Sequence, residues 1–495
     1  MKSKTGDSVT TCERPNVILI SVDQWRGDCL GIDGHPVVQT PYLNRIALEG
    51  ARFSHAYSAC PTCIPARAAL LTGLSQRSHG RVGYKDGVPW NYPVTIASEF
   101  TRQGYQTQAI GKMHVYPERR RMGFENVILH DGFLHHAHNH HPVDYDMVDD
   151  YHPWLRQQLG RDADDFEHGM NCNSFTVRPW DKPEHTHPTN YIVTQSIDFL
   201  KRRDPTQPFF LYMSFHRPHP PFDPPAWAYE LYRDRDMPLP PVGAWSKLFA
   251  GHEEPENPEL WCGDIGRERL RQALAGYYGH ITHIDHQINR FWETLNMFGL
   301  MKNSYLCFVS DHGDLMGDHN LFRKAFPYEG ATRVPMILKG PEGCGIRHNH
   351  VSDRVVELRD VMPTLLECAG LEIPGSVEGR SFLGNARGED REVHPYIHGE
   401  HLVVCGGAAH YVTDGHEKYV WYSATGHEQL FDLDRDPQEL NDLAGKAKAA
   451  ASLKRWRGRL VKELEGREEG SSDGRKLIAG RPVKAVLEHS GIRPA

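Results

Sequence analysis

Residues 58–73 read SACPTCIPARAALLTG, with Cys60 and Cys63 at the spacing of a disulfide-exchange pair or half of a zinc site. The residues after Cys63 point elsewhere. Pro65 stands where a helix starts and Gly73 where it stops, which puts Cys63 near a helix N-terminus, whose dipole and free N–H groups favour an anion. Zinc needs a second Cys or His pair at suitable spacing, and none is nearby. A redox domain would be much smaller, with no reason for Arg67 or for acids on distant strands. Reactive residues recur where other apolar runs end. Asp23 and Gln24 follow NVILISV, Lys112 and His114 follow YQTQAIG, His216 and His219 follow PFFLYMSF, and Asp311 and His312 follow SYLCFVS.

Each run is short and rich in β-branched or aromatic residues, with helical stretches such as TPYLNRIALEGARF and YYGHITHIDHQINRFWETLNMF between them. Strands buried on both faces with intervening helices predict an α/β fold around an open, mostly parallel sheet. Ligands bind beyond the carboxyl ends of such strands, so four runs ending in polar groups predict one site. The α/β part spans 1–385, closing with the helix VVELRDVMPTLLECAG. Residues 386–470 read as a smaller C-terminal α+β subdomain, with short alternating strands and the helix AAASLKRWRGRLVKELEG. Residues 471–495 form a polar tail, either a partner-docking arm or a loose end. The His-rich stretch 130–146 reads equally as a surface loop or a substrate contact, ahead of a second metal site.

The net charge of -8 over 495 residues argues against nucleic acid as a partner, because phosphate binding wants a basic face. Hydrophobic residues at 39% and charged residues at 24% are ordinary for a soluble globular protein. Ten cysteines scattered along the chain form no dense disulfide framework, while 31 histidines invite a search for metal or acid–base sites. No signal-peptide pattern opens the sequence, and Val17–Val22 is too short to span a membrane. The expectation is a cytoplasmic protein without a membrane partner.

Cys-x-Pro-x-Arg followed by Ala-x-Leu-x-Thr-Gly resembles the signature of the type I, formylglycine-dependent sulfatases of the alkaline phosphatase superfamily. GKMH (111–114), SDHGDLMGDH (310–319) and LFDLDRDPQELNDLAG (430–445) resemble further segments of that family in the same order, so the likeness spans about residues 15–445. It implies an alkaline-phosphatase-like fold and hydrolysis of an aryl, alkyl or carbohydrate sulfate ester to an alcohol and inorganic sulfate. Cys63 would be oxidised to formylglycine by a formylglycine-generating enzyme. One hydroxyl of the hydrated aldehyde would attack sulfur, and deprotonation of the other would release sulfate, a step a serine lacks.

The resemblance also implies metal ligands Asp23, Gln24, Asp311 and His312, with modified residue 63 contacting the cation. Many family members carry a second Asp in place of Gln24 and Asn in place of His312. Calcium is the usual metal, and a mixed oxygen–nitrogen set also suits manganese or magnesium. Arg67 would stabilise the hydrated aldehyde and the carboxylates. Lys112 and Lys324 would grip sulfate oxygens, Lys324 also helping the departing oxygen. His114 would take the proton that triggers release, and His219, in RPHPPF, would protonate the leaving group. His216 is the neighbour most easily confused with it. His280, His283, His286, Asp318 and His319 read as packing or surface residues, and Cys60 has no role.

Two alternatives follow. Phosphonate monoester and phosphodiester hydrolases share the Cys-x-Pro-x-Arg segment, the Asp-Gln and Asp-His pairs and RPHPPF, but typically lack the Lys and His of GKMH. The other is a non-catalytic metal-binding homologue that keeps Cys63 as a thiol. The alcohol and the oligomeric state are not legible, and a homo-oligomer stays open.

Overall fold

The computed structural model describes residues 14–132, 147–165 and 167–491. The His-rich expectation therefore lies mostly outside the described residues. Only its first three positions are inside, and there buried His130 meets Asp149 at 3.0 Å.

The strands are β1 (Asn16–Asp23), β2 (Ala51–Phe53), β3 (Ala56–Tyr57), β4 (Gln106–Gly111), β5 (Asn126–Leu129), β6 (Phe209–Pro218), β7 (Ser304–Ser310), β8 (Met336–Lys339), β9 (His350–Ser352) and β10 (Val356–Glu357). The C-terminal strands are β11 (Ile397–Leu402), β12 (Ala408–Thr413), β13 (Glu417–Tyr422) and β14 (Glu428–Asp432). Eight strands form one sheet in the order β5-β4-β6-β1-β7-β8-β2-β9. From β5 through β7 every neighbouring pair is parallel, β8 runs antiparallel to both β7 and β2, and β9 returns parallel to β2. This is the expected large, mixed, mostly parallel sheet.

Alternation explains why the central runs read as continuously apolar. Val17 and Leu19 of β1 enter a core on one face with Leu70, Phe100, Phe210 and Leu365. Ile18, Ile20 and Val22 enter a second core on the other face with Tyr277, Ile281, Leu211 and Met213. Each such side chain, fully buried, contributes roughly 1.5–3 kcal/mol. Helices α2 (Cys63–Thr72) and α5 (Val361–Cys368) cover the first face. Helices α1 (Pro41–Leu48), α3 (Pro188–Arg202) and α4 (Arg267–Met297) cover the second.

Two helical expectations are corrected: VVELRDVMPTLLECAG opens with strand β10 (Val356–Glu357), paired to β3, and is α-helical only over Val361–Cys368. TPYLNRIALEGARF is helical only to Leu48, and Ala51–Phe53 is strand β2. Gly50 lies so close to β8 that a Cβ there would come within 2.5 Å of the Leu338 carbonyl oxygen. The chain turns at that approach and pairs with the sheet.

Strands β11 to β14 form a separate antiparallel sheet. Val412, Tyr419, Trp421 and Leu430 pack on Trp456 and Leu460 of helix α6 (Ala450–Glu463). Tyr411, Val420 and Phe431 face the other way, onto Tyr57, Phe326 and Tyr328 of the larger body. The last described residues do not stand free: Val82 and Gly83 donate to the Ala485 carbonyl, and Leu487 donates to that of Gly80.

Candidate active site

Parallel pairing brings the strand ends into register. Ser21 of β1 lies opposite Ser214 of β6, and Val22 opposite Ser310 of β7, so Asp23 and Asp311 emerge side by side. The β1–β6 register shifts between Ser21 and Asp23, a bulge at the point where side chains must be re-aimed. Gly111 ends β4 opposite Ser214 and hands Lys112 to the same spot. Helix α2 arrives from the other side with Cys63 as its first residue.

The Cys63 Sγ lies 3.6 Å from both Asp23 oxygens, 3.5 Å from His312 Nε2, 3.7 Å from Lys112 Nζ and 3.2 Å from Lys324 Nζ. Cys60 and Cys63 are both unpaired. Arg67, one turn along α2, is fully buried. Its Nε donates to Asp311 Oδ2 at 3.0 Å, and one terminal nitrogen donates to the Lys112 carbonyl, Tyr212 Oη and Ser214 Oγ. That rigid fork ties α2 to β4, β6 and β7 at once. Lys112 pairs with Asp23.

Asp23, Cys63, Asp311 and His312 present ligand atoms within 4.8 Å of one another. His312 Nδ1 donates to the Gly313 carbonyl at 2.9 Å, which leaves the Nε2 lone pair facing the carboxylates. Gln24 takes a left-handed φ of 73°; its carbonyl oxygen accepts from Lys324 Nζ at 2.9 Å and its amide nitrogen donates to Asp314. The amide therefore turns its oxygen toward the cluster. Two buried carboxylates, an imidazole lone pair and an amide oxygen fit a divalent cation of hard or borderline character.

Charge is finely set here. Burial alone would raise Asp23, but Lys112, with His219, Lys324 and His312, holds it well below the carboxylate range. Asp311 goes the other way, raised by burial and by Asp23. Burial and Asp23 push the Cys63 thiol up, yet Lys112 and Lys324 bring it well below its ordinary value. Burial and Lys112 pull His114 down, but Asp86 and Cys63 outweigh them and hold it at about 9. His219 is lowered, by burial and then by Lys324. Its Nδ1 faces the Pro220 carbonyl at 2.8 Å, so the neutral ring turns a lone pair, not a proton, toward the cavity.

Cys63, Lys112, His114, His219 and Lys324 line a cavity of about 420 Å³. His216 and His219 both line it, their ring centroids 5.0 Å apart. The sequence reading missed several of its walls. Asp86, Trp261 and His401 follow no apolar run that ends in a reactive pair, so only tertiary contacts assign them, whereas Asp131 follows β5 at the start of the His-rich stretch. His401 comes from β11 and meets Thr62, beside Cys63, at 2.9 Å. His280 and His283 are buried packing groups: His280 contacts the Asp223 backbone and His283 contacts Asn190. Asp318 pairs with Arg26, away from this cavity.

Known proteins give the class first. The family model described as Sulfatase matches residues 15–371, and that described as N-sulphoglucosamine sulphohydrolase, C-terminal, matches 317–466. The chain belongs to the sulfatase family. It is 49% identical over 490 residues to the arylsulfatase of Clostridium perfringens (strain 13 / Type A), covering 96% of this chain and 99% of that one. It is 27% identical to the choline-sulfatase of Rhizobium meliloti (strain 1021), over 88% of this chain and 83% of that one. The crystal structure of the phosphonate monoester hydrolase of Agrobacterium radiobacter superposes with a TM-score of 0.76 at 26% identity, covering 91% of this chain and 95% of that one. The fold is thus that of the alkaline phosphatase superfamily.

Proposed function

We propose that this sulfuric ester hydrolase cleaves an organic sulfate monoester to an alcohol and inorganic sulfate, using residue 63 as formylglycine and one divalent cation held by Asp23, Gln24, Asp311 and His312. The observation that carries the reading is the meeting of Cys63, Asp23, Asp311 and His312 within 4.8 Å. Lys112 and Lys324 lie beside the same sulfur, at 3.7 and 3.2 Å. Bound there, the hydrated aldehyde supplies a recyclable oxygen nucleophile and the cation, calcium ahead of manganese or magnesium, supplies charge neutralisation.

The chain's own residues do the rest. Lys112 and Lys324 bind the sulfate oxygens, and Arg67 fixes Asp311 and the start of α2. His114 accepts a proton at residue 63. Replacing the thiol by a neutral hydrate removes one of the influences that hold this imidazole at about 9, and so lowers it toward the range of a base. His219 binds the leaving oxygen. Burial first and Lys324 second keep this ring neutral; an anionic ester beside Lys324 offsets the second, which favours Nε2 carrying the proton it donates. Cys63 is 2% exposed, so a formylglycine-generating enzyme has to meet this segment before the chain closes over it. Tyr84, Trp261 and Phe326 on the cavity wall favour an aryl sulfate, with alkyl and carbohydrate sulfates behind it.

Mass spectrometry of the peptide containing residue 63 tests the nucleophile: in active protein the thiol sulfur is replaced by an aldehyde oxygen. Cys63→Ala lowers turnover of 4-nitrophenyl sulfate by on the order of 10³-fold or more. An intact thiol in protein from the native host would overturn the reading and favour a binding role. The likeness to a phosphonate monoester hydrolase supports a second reading, hydrolysis of phosphonate monoesters or phosphodiesters by the same nucleophile. The pair Lys112 and His114 favours sulfate. A strong preference for a phenylphosphonate monoester over 4-nitrophenyl sulfate would reverse that order.

No helix among the described residues is long and apolar enough to cross a membrane.

A further inference from the structure

Asp131 lines the cavity over Cys63 and has no part in the hydrolysis proposed above. It is 2% exposed. Its Oδ1 accepts the backbone N–H groups of Met113 and His114 at 2.5 and 2.9 Å, which fixes the carboxylate. Its Oδ2 is buried and has no hydrogen-bond partner among the described residues. Leaving such an acceptor unmade is costly, and more so for a charged group. A fold that holds it rigidly in a cavity wall keeps it for a donor that arrives from outside.

The surroundings say what that donor belongs to. Asp86 lies beside the same segment, accepting from Tyr84 Oη at 2.8 Å and facing His114 Nε2 at 3.6 Å. At Gly132 a Cβ would come within 2.4 Å of the His216 ring, so the turn after Asp131 runs directly against that histidine. Two carboxylates repel a sulfate group, whose oxygens have Lys112 and Lys324 to meet. They suit the other half of the ester. Trp261, Phe326, Leu402 and Val404 line the same cavity and suit a carbon skeleton.

We propose that Asp131, with Asp86 beside it, forms a subsite for a hydrogen-bond donor on the alcohol, so that the enzyme selects sulfate esters whose apolar alcohol also carries a hydroxyl or ammonium group. This rests on the hydrolase reading and adds to it the chemistry of the substrate.

Aryl sulfates of nearly equal size test it. The methylphenyl sulfates are compared with hydroxymethylphenyl and aminomethylphenyl sulfates, each as ortho, meta and para isomers. At one ring position at least, a donor-bearing ester exceeds its methyl counterpart about tenfold in kcat/KM, chiefly through KM. The two donor arms separate a hydroxyl from an ammonium as the group read. Asp131→Asn keeps an oxygen for the Met113 and His114 N–H groups but sets an NH₂ where Oδ2 was, so the ratio falls toward one. Asp86→Asn lowers the ratio in the same direction and decides the matter should the first variant fail to fold. No donor preference at any ring position, or a preference that survives the substitution, overturns the proposal. Absence of turnover of 4-nitrophenyl sulfate and every other ester would instead sink the hydrolase reading itself.

Discussion

Gln24 shows how much one side chain's orientation carries. A φ of 73° is uncommon for a non-glycine residue, and here it falls just after β1, next to Asp23. Left to itself the amide could flip. Asp314, which accepts from its nitrogen and from the Met316 N–H, sets the oxygen toward Lys324, whose Nζ also meets Cys63. Partners of this kind usually govern metal affinity by a factor of about 10–100. Asp314→Ala therefore weakens divalent-cation binding about tenfold, read as a dissociation constant by competition with a chelating dye. An unaltered constant would mean that Asp314 does not orient the ligand.

Among the elements, the β4–β6 contact is the one that places Lys112 beside Asp23. Gly111 has a φ of 99°, and a Cβ there would lie 1.9 Å from the Ser214 carbonyl oxygen. That same oxygen accepts the Lys112 N–H at 2.9 Å. Only glycine lets the two strands close at this point and deliver Lys112 to Asp23. Gly111→Ala forces them apart and destabilises the fold by about 2 kcal/mol or more. Urea unfolding reads the loss, and activity falls with it because Lys112 is displaced. The same kind of close approach defeated the helical reading of residues 40–53. Periodicity carries no mark of β8 arriving beside Gly50, so local pattern ran through a turn that a neighbouring backbone imposes.

Across the whole molecule, buried histidines make the protein acid-labile. Burial first, then nearby cations, hold His79 at about 3, while burial holds His280 and His410 at about 4, against an ordinary value of 6.5. Between pH 6.5 and 4 the unfolded chain therefore binds more protons than the folded one, and stability falls as pH drops through that window. Glu400 adds to this at lower pH. Burial would raise it, but Arg467 and the neighbouring histidines hold it at about 2 against 4.5, so its contribution is present above 4.5 and lost as pH falls toward 2. Each buried histidine costs up to about 2 kcal/mol by pH 5. The urea midpoint is expected to fall steadily from pH 7 to pH 5, and a flat midpoint would contradict these assignments. Because Glu400 also donates its backbone N–H to Ala59 in the segment before Cys63, loss of the C-terminal sheet in acid takes the site with it.

Local pattern alone reveals the strand runs and the pairs that follow them. Burial on both faces demands unbroken apolar residues, and the first polar residue after such a run must fall at the sheet's edge. That is why Asp23, Lys112, Asp311 and His312 were legible, and why Cys63 could be set at a helix start by Pro65 and Gly73. Tertiary packing was needed to show that β11 brings His401 to Thr62, that Leu402 and Val404 wall the cavity, and that Asp131 in that wall keeps one buried oxygen unpartnered. Those placements arise from packing between segments that local spacing and periodicity do not connect, in the case of His401 and Thr62 segments more than three hundred residues apart.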